Sequence, residues 1–487
     1  MPSPTVYDLV IRNALILDGT GAPGQPGDLA VEGGAIARIE SAGTISAERA
    51  RTAIEAEGMA LAPGFIDAHT HDDRAVIDQP EMTFKISQGV TSVVVGNCGI
   101  SLSPLTLDGA PPPPLNLLGG RSAFEFPRFA DYAERVASVV PSVNVVPLIG
   151  HGSLRALTMA DPMQKADSRA ISAMRRHLAD ALAEGATGFS TGLFYPLNAP
   201  ADIEEVTTLA ELLPAHGGVY ATHMRNEHDG VMSSLAETFE TAGRAKVPVV
   251  VSHHKCAGRA NWGRSAETLP LINETARRQP VGLDAYPYTA GSTVLDPRFV
   301  QEDIRTLISW CDPYPELAGR DLGELAREWG CTMREAAERI NPAGGIYFQM
   351  DEADVRRILA FPLTMIGSDG LPHDTRPHPR LWGAFPRVLG HYARDVGLFP
   401  LEEAVRKMTS LTAAQFGLAD RGLLREGFAA DLVLFDPAHI KDTATFAEPI
   451  AAAEGIACVI VNGAVSYRPQ EGVVGRAGRM LRGRRLN

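Results

Sequence analysis

An α/β fold is predicted for this chain: a (β/α)₈ TIM-like barrel joined to a small β-sandwich formed by the two chain ends. Three observations predict it. Between residues 63 and 418, short apolar strands alternate with helical periodicity, the pattern of a parallel sheet covered by helices. Eight such strands can be counted, the number that closes a barrel. Both chain ends read instead as strands separated by Gly- and Pro-rich turns. The expected units are residues 1–62 and 419–487 for the sandwich and 63–418 for the barrel, with an inserted lid around 290–343.

At the N-terminal end, Asp8-Leu9-Val10-Ile11-Arg12 and Asp28-Leu29-Ala30-Val31 flank the turn Gly21-Ala22-Pro23-Gly24. Asp431-Leu432-Val433-Leu434-Phe435 and Cys458-Val459-Ile460-Val461 repeat that texture near the other end, so the ends are expected to pair. The eight barrel strands are placed at 65–71, 92–98, 144–151, 186–193, 219–225, 248–255, 281–288 and 363–369. The connection between the last two is far longer than a usual βα loop. Its extra residues, 290–343, are expected to cover the barrel mouth.

Composition narrows the function. The chain has 487 residues, 58 of them acidic and 45 basic, and a formal net charge of −13. Apart from Arg476, Arg479, Arg482, Arg484 and Arg485, expected to be a solvated tail, no basic run would track a phosphate backbone, which excludes a nucleic-acid partner. Five widely spaced cysteines do not read as a disulfide framework. No stretch of eighteen apolar residues suggests membrane spanning. A cytoplasmic protein acting on a small-molecule substrate is expected; the sequence leaves its oligomeric state open.

Titratable side chains gather at the expected C-terminal strand ends, where barrels carry active sites: His69 and His71, Cys98, His151, His223 and Arg225, His253 and Lys255, Asp284 and Tyr286, and Asp369. A purely structural barrel end would carry branched apolar residues there. In a strand, alternate side chains share a face, so His69 pairs with His71, and His253, rather than His254, shares a face with Lys255. Imidazoles and a thiolate suit Zn²⁺, and Cys98 beside two imidazoles leaves a fourth position open, as in catalytic zinc sites.

The motifs Pro63-Gly64-Phe65-Ile66-Asp67-Ala68-His69-Thr70-His71, Gly96-Asn97-Cys98-Gly99-Ile100-Ser101, Ser252-His253-His254-Lys255 and Gly367-Ser368-Asp369-Gly370 together resemble the N-acyl-D-amino-acid deacylases (D-aminoacylases) of the amidohydrolase superfamily. The resemblance covers nearly the whole chain. It implies zinc-dependent hydrolysis of a linear amide to a carboxylate and a free D-amino acid. It also implies that Cys98, His223 and His253 hold a tight zinc, and that His69 and His71 serve a second, weaker position sharing Cys98. Asp369 is the implied catalytic carboxylate. Lys255, Tyr286 and Arg380 are implied to hold the substrate α-carboxylate, and Phe194, Tyr347 and Met350 to line a pocket for apolar side chains.

Two other readings stay open at this point. One is a cyclic-amide hydrolase of the hydantoinase or dihydroorotase type. Those enzymes generally bridge two metals with a carboxylated lysine on the fourth strand, whereas 186–193 holds no lysine here. The other is a non-enzymatic assembly protein on the same barrel, which would be expected to lack some of the ligand set.

Overall fold

The computed structural model describes residues 6–482. The N-terminal end forms β1 (Tyr7–Ile16), β2 (Gln25–Glu32), β3 (Ala35–Ser41), β4 (Ala50–Glu55) and β5 (Ala60–Pro63). The barrel follows with β6 (Phe65–Asp67) and β7 (Val90–Val95). A short outer hairpin, β8 (Leu105–Thr106) with β9 (Glu125–Phe126), precedes β10 (Asn144–Gly150), β11 (Gly188–Gly192), β12 (Val219–His223), β13 (Val249–Val251) and β14 (Val281–Ala285). After β14 come β15 (Gly291–Val294), β16 (Thr306–Cys311) and β17 (Ala343–Tyr347), then β18 (Thr364–Ile366). The chain returns to the terminal sheet with β19 (Leu432–Phe435), β20 (Ile456–Val461), β21 (Ala464–Arg468) and β22 (Gly472–Val473).

The barrel strands run parallel in the order β6-β7-β10-β11-β12-β13-β14-β18. Two backbone bonds, Ala68 N–H to the Ile366 carbonyl (3.1 Å) and Asp369 N–H to the His69 carbonyl (2.8 Å), join the first and last strands just past their ends. Runs such as Val249-Val250-Val251 and Val93-Val94-Val95 are buried throughout, as strands must be when both faces of a parallel sheet are covered. The covering helices carry their own start and stop signals. The helix Ser168–Glu184, for example, is capped by the Asp167 carboxylate on the Ala170 N–H (2.7 Å) and ends at Gly185 with φ of +117°. It buries Met174, Leu178, Ala181 and Leu182 on one stripe.

The two chain ends share one nine-stranded sheet: β5 pairs with β19 antiparallel, so the join falls immediately before the barrel begins. The arginine-rich end keeps Arg476, Arg479 and Arg482 exposed, as expected, but its backbone is pinned to the barrel. Leu481 N–H donates to the Val145 carbonyl and Val145 N–H to the Arg479 carbonyl, and Arg476 reaches Glu81 at 3.4 Å; Arg484 and Arg485 lie outside the described residues. The backbone bonds cover the start of β10, where β11 does not yet pair with it, while the charged side chains stay in water.

The insertion has its own small core. Strands β15, β17 and β16 make a three-stranded antiparallel sheet, and the helices Leu322–Trp329 and Met333–Ile340 pack on it through Leu322, Leu325, Ala336 and Ile340. Thr332 and Glu335 form a reciprocal capping box at the start of the second helix.

Candidate active site

Four barrel strands stop short of the residues that matter, whereas β12 carries His223 as its last residue. Strand β6 ends at Asp67, two residues before His69; β7 ends at Val95, β13 at Val251 and β18 at Ile366. Alternation along a strand therefore does not aim these side chains, contrary to the parity expected from the sequence. Left-handed backbone does so instead. Cys98 (φ +54°), His253 (φ +35°) and Asp369 (φ +50°) are three of nine non-glycine residues with positive φ among the described residues. Such conformations cost about 1 to 3 kcal/mol each and persist where the surroundings over-determine them. Here each turns a side chain back into the barrel mouth. Gly96 makes the Cys98 turn possible: at φ +78°, a Cβ would lie 2.0 Å from the Leu148 carbonyl oxygen. Its N–H is fixed on the Asp73 carboxylate at 3.1 Å.

The turns bring the expected donors together. Cys98 Sγ lies 3.3 Å from His69 Nε2 and 3.4 Å from His253 Nε2, and His253 Nε2 lies 3.0 Å from His223 Nδ1. Asp369 Oδ1 sits 3.2 Å from His71 Nε2 and 3.6 Å from His69 Nε2. All these residues are buried. A tetrahedral ion with bonds of roughly 2.0 to 2.3 Å separates its ligand atoms by roughly 3.3 to 3.7 Å; the two Cys98 spacings of 3.3 and 3.4 Å match this, the 3.0 Å between His253 and His223 is slightly shorter, and the nitrogen–sulfur donor set suits zinc. Burial alone would raise the Cys98 thiol, but the adjoining His69 and His253 hold it well below its usual value. The group is thus set up as a thiolate.

Beneath the donors lies a network the sequence reading missed. Lys85, completely buried, donates from Nζ to Asp67 Oδ2 (2.8 Å) and Ser368 Oγ (2.6 Å) and stands 3.4 Å from Asp72. Asp67 Oδ1 accepts from the backbone N–H of His69 (3.3 Å) and of Ser368 (2.8 Å). Asp284 Oδ1 accepts from the His253 backbone N–H (2.8 Å) and faces His69 Nδ1 at 3.4 Å. Lys85 lies in a short helix with no sequence motif around it, so only folding reveals it. Lys85→Met is expected to lower folding stability by about 3 to 5 kcal/mol, because two buried carboxylates lose their cation. Urea unfolding checks this; a loss under 1 kcal/mol would show the network to be dispensable.

The remaining candidates separate. Lys255 Nζ is held by both oxygens of Glu227, at 2.7 and 2.8 Å; Glu227 is a second residue the sequence reading missed. Arg380 is fully buried, bonds from Nη2 to Asp369 Oδ2 (2.9 Å) and to the Ser292 carbonyl (3.0 Å), and lies over the Tyr286 ring at 4.4 Å. Its Nε and Nη1 have no partner. Burial would raise Asp369, yet Arg380 and then His69 keep its carboxyl well below the ordinary range. A cavity opens onto Asp369, His71, Lys255 and Tyr286, walled by Phe194, Leu117, Phe299 and Tyr347. Met350 instead lines a smaller cavity behind Tyr286. His151 opens the helix His151–Thr158 and pairs with Glu205 at 2.9 Å, and Arg225 turns to Glu237 at 2.8 Å. Neither residue joins the site.

Comparison with known proteins places the chain in a family. The sequence matches the Amidohydrolase family over residues 52–285 and 325–467. The chain belongs to that family. Within it, the chain is 53% identical to D-aminoacylase of Alcaligenes xylosoxydans xylosoxydans, over 98% of this chain and 97% of that protein. A crystal structure of D-aminoacylase superposes with a TM-score of 0.95 at 53% identity, covering 98% of this chain and all of that one. In D-aminoacylase the binuclear metal centre shows one-metal activation and second-metal attenuation. The N-acyl-D-glutamate deacylase of Bordetella bronchiseptica, solved with zinc and a phosphonate mimic of the tetrahedral intermediate, matches at 44% identity and a TM-score of 0.93, covering 98% of this chain and all of that one. L-hydantoinase of Arthrobacter aurescens shares the fold alone, at 15% identity and a TM-score of 0.62 over 98% of this chain and all of that one. Among the described residues, no helix is long and apolar enough to cross a membrane.

Proposed function

We propose that this amidohydrolase cleaves N-acyl-D-amino acids with apolar side chains, releasing a carboxylate and a free D-amino acid. One observation carries the reading: a zinc-type donor set, a proton acceptor at Asp369 and the Lys255 cation meet at one cavity with an apolar wall, and Arg380 stands directly behind Asp369. Cys98, His223 and His253 would hold the tight zinc, with His69 and His71 sharing Cys98 in a second, weaker position. Zinc bound there supplies Lewis acidity toward the amide carbonyl and the attacking water.

The chain's own residues do the rest. Asp369 accepts the proton of the attacking water and returns it to the leaving amine nitrogen. Arg380 is well placed to take the substrate α-carboxylate, since its Nε and Nη1 are free to donate and its fork matches both carboxylate oxygens. As Arg380 turns to that carboxylate, Asp369 loses its nearest cation and its basicity rises. Lys255 and Tyr286 complete the anion site. Phe194 and Tyr347 offer the side chain an apolar surface, with Phe194 stacked on His223 at 5.2 Å.

The insertion serves as the lid of this site. Support comes from Tyr195 Oη and Thr293 Oγ1, 2.9 Å apart across the mouth, and from the Phe194 and Phe299 rings at 4.3 Å. A carboxylated-lysine bridge of the hydantoinase type has no support, because β11 (Gly188–Gly192) carries no lysine.

Turnover of a panel of N-acetyl-D- and N-acetyl-L-amino acids tests the reading. The D-forms of methionine, leucine and phenylalanine should be hydrolysed and the L-forms should not; equal turnover of both series overturns it. N-acetyl-D-methionine amide, which lacks the α-carboxylate, is expected to react roughly 10- to 100-fold more slowly than the acid, the worth of one lost charge-assisted contact. Equal rates would remove Lys255 and Arg380 from substrate binding.

A further inference from the structure

Glu227 lies in the loop after β12, 5% exposed, and faces the backs of two of the proposed zinc ligands at once. Its Oε1 is 3.0 Å from His253 Nδ1, and its Oε2 is 3.5 Å from His223 Nε2, a buried nitrogen that makes no hydrogen bond and has this carboxylate as its facing acceptor. The opposite nitrogens, His253 Nε2 and His223 Nδ1, are the pair that meet 3.0 Å apart beside Cys98. The two rings cross at 85° with centroids 4.3 Å apart, so one carboxylate can reach a different nitrogen on each. A neutral imidazole carries one proton, and hydrogen bonding at one nitrogen decides which nitrogen is left to bind a metal.

We propose that Glu227 is the positioning residue that fixes the tautomers of both His223 and His253, protonating the first at Nε2 and the second at Nδ1. The unprotonated nitrogens then face the zinc side together. This rests on the zinc reading above and adds a residue that is not itself a ligand.

Two competing arrangements are less consistent with the contacts. Glu227 as a metal ligand would need a cation between its carboxylate and His253 Nδ1, but the Lys255 ammonium already stands there, 2.7 and 2.8 Å from the two oxygens and 2.8 Å from Nδ1. Lys255 as donor to His253 Nδ1 would force the ring proton onto Nε2, pointing it at His223 Nδ1 and the Cys98 sulfur. Lys255 has two carboxylate oxygens as better acceptors, and its charge offsets that of Glu227.

The test pairs zinc affinity with a direct view of the ring protons. Competition with a chromogenic chelator should show zinc held 10- to 100-fold more weakly by Glu227→Gln than by the wild type, the usual effect of losing an outer hydrogen-bond partner. An amide can accept from only one ring and cannot pair with Lys255. In zinc-loaded wild type with ¹⁵N-labelled histidine, two-bond nitrogen–proton correlations should place one proton on Nε2 of His223 and one on Nδ1 of His253. Affinity within twofold of wild type, or the two rings protonated on the same type of nitrogen, overturns the proposal. If the variant does not fold, the wild-type spectrum still decides. Wild type that takes up no zinc would sink the site reading as well, whereas zinc-binding wild type with an equally tight variant sinks only the role of Glu227.

Discussion

Asp369→Asn is expected to lower kcat by at least about a hundredfold, and up to about 10⁴-fold, while zinc stays bound. General acid–base catalysis is typically worth that much, roughly 3 to 5 kcal/mol. The geometry isolates the effect. Asparagine keeps the shape and the left-handed φ of +50°, which Asn adopts more readily than most residues. What it loses is the proton acceptor, together with the negative charge that faces Arg380. The competing idea is that Asp369 only ligates metal, since its Oδ1 is near both His69 and His71. In that case Asn would lower zinc content, and added zinc would restore most of the rate. Zinc analysis and kcat on one preparation separate the two. Full zinc with a near-normal rate defeats the catalytic role; lost zinc with a rescued rate gives the residue to the metal.

Much of this architecture is legible in the sequence because parallel strands buried on both faces leave continuous apolar runs, as in Val249-Val250-Val251. The donor set is legible too: six titratable residues (His69, His71, Cys98, His223, His253 and Asp369) at or just past five strand ends have no structural reason to be there. The manner of their aiming is not. Strand alternation favours His253 over His254 as the inward residue, and in the fold His254 turns away to Thr268 at 2.8 Å. Its cause is the left-handed turn at His253, which leaves no mark in composition. Lys85 and Glu227 were invisible for a different reason. A lone lysine in a short helix and a glutamate in a loop look like surface residues until long-range contacts bury them beside Asp67 and His253. The resemblance gives Arg380 to the substrate; in the fold it is also the cation that holds Asp369.

Cys98→Ala is expected to weaken zinc binding by more than roughly a hundredfold, beyond the range for removing an outer partner, and activity should fall with it. The thiolate is the one soft ligand in the cluster and the proposed bridge between the two positions, within 3.4 Å of both His69 Nε2 and His253 Nε2. A purely structural cysteine predicts something else. Removing one buried sulfur from a core would lower stability by about 1 kcal/mol and leave zinc and rate untouched. Elemental analysis of the purified variant decides: stoichiometric zinc with unchanged activity would take Cys98 out of the site. A second substitution separates function from folding. At φ +54°, glycine relieves strain that alanine keeps, so zinc-free Cys98→Gly should melt above zinc-free Cys98→Ala by the equivalent of about 1 kcal/mol while both fail to bind zinc. That order would mean the backbone strain at Cys98 is maintained for the metal rather than for the fold; the reverse order would mean the left-handed turn is not strained, and the conformation would need another explanation.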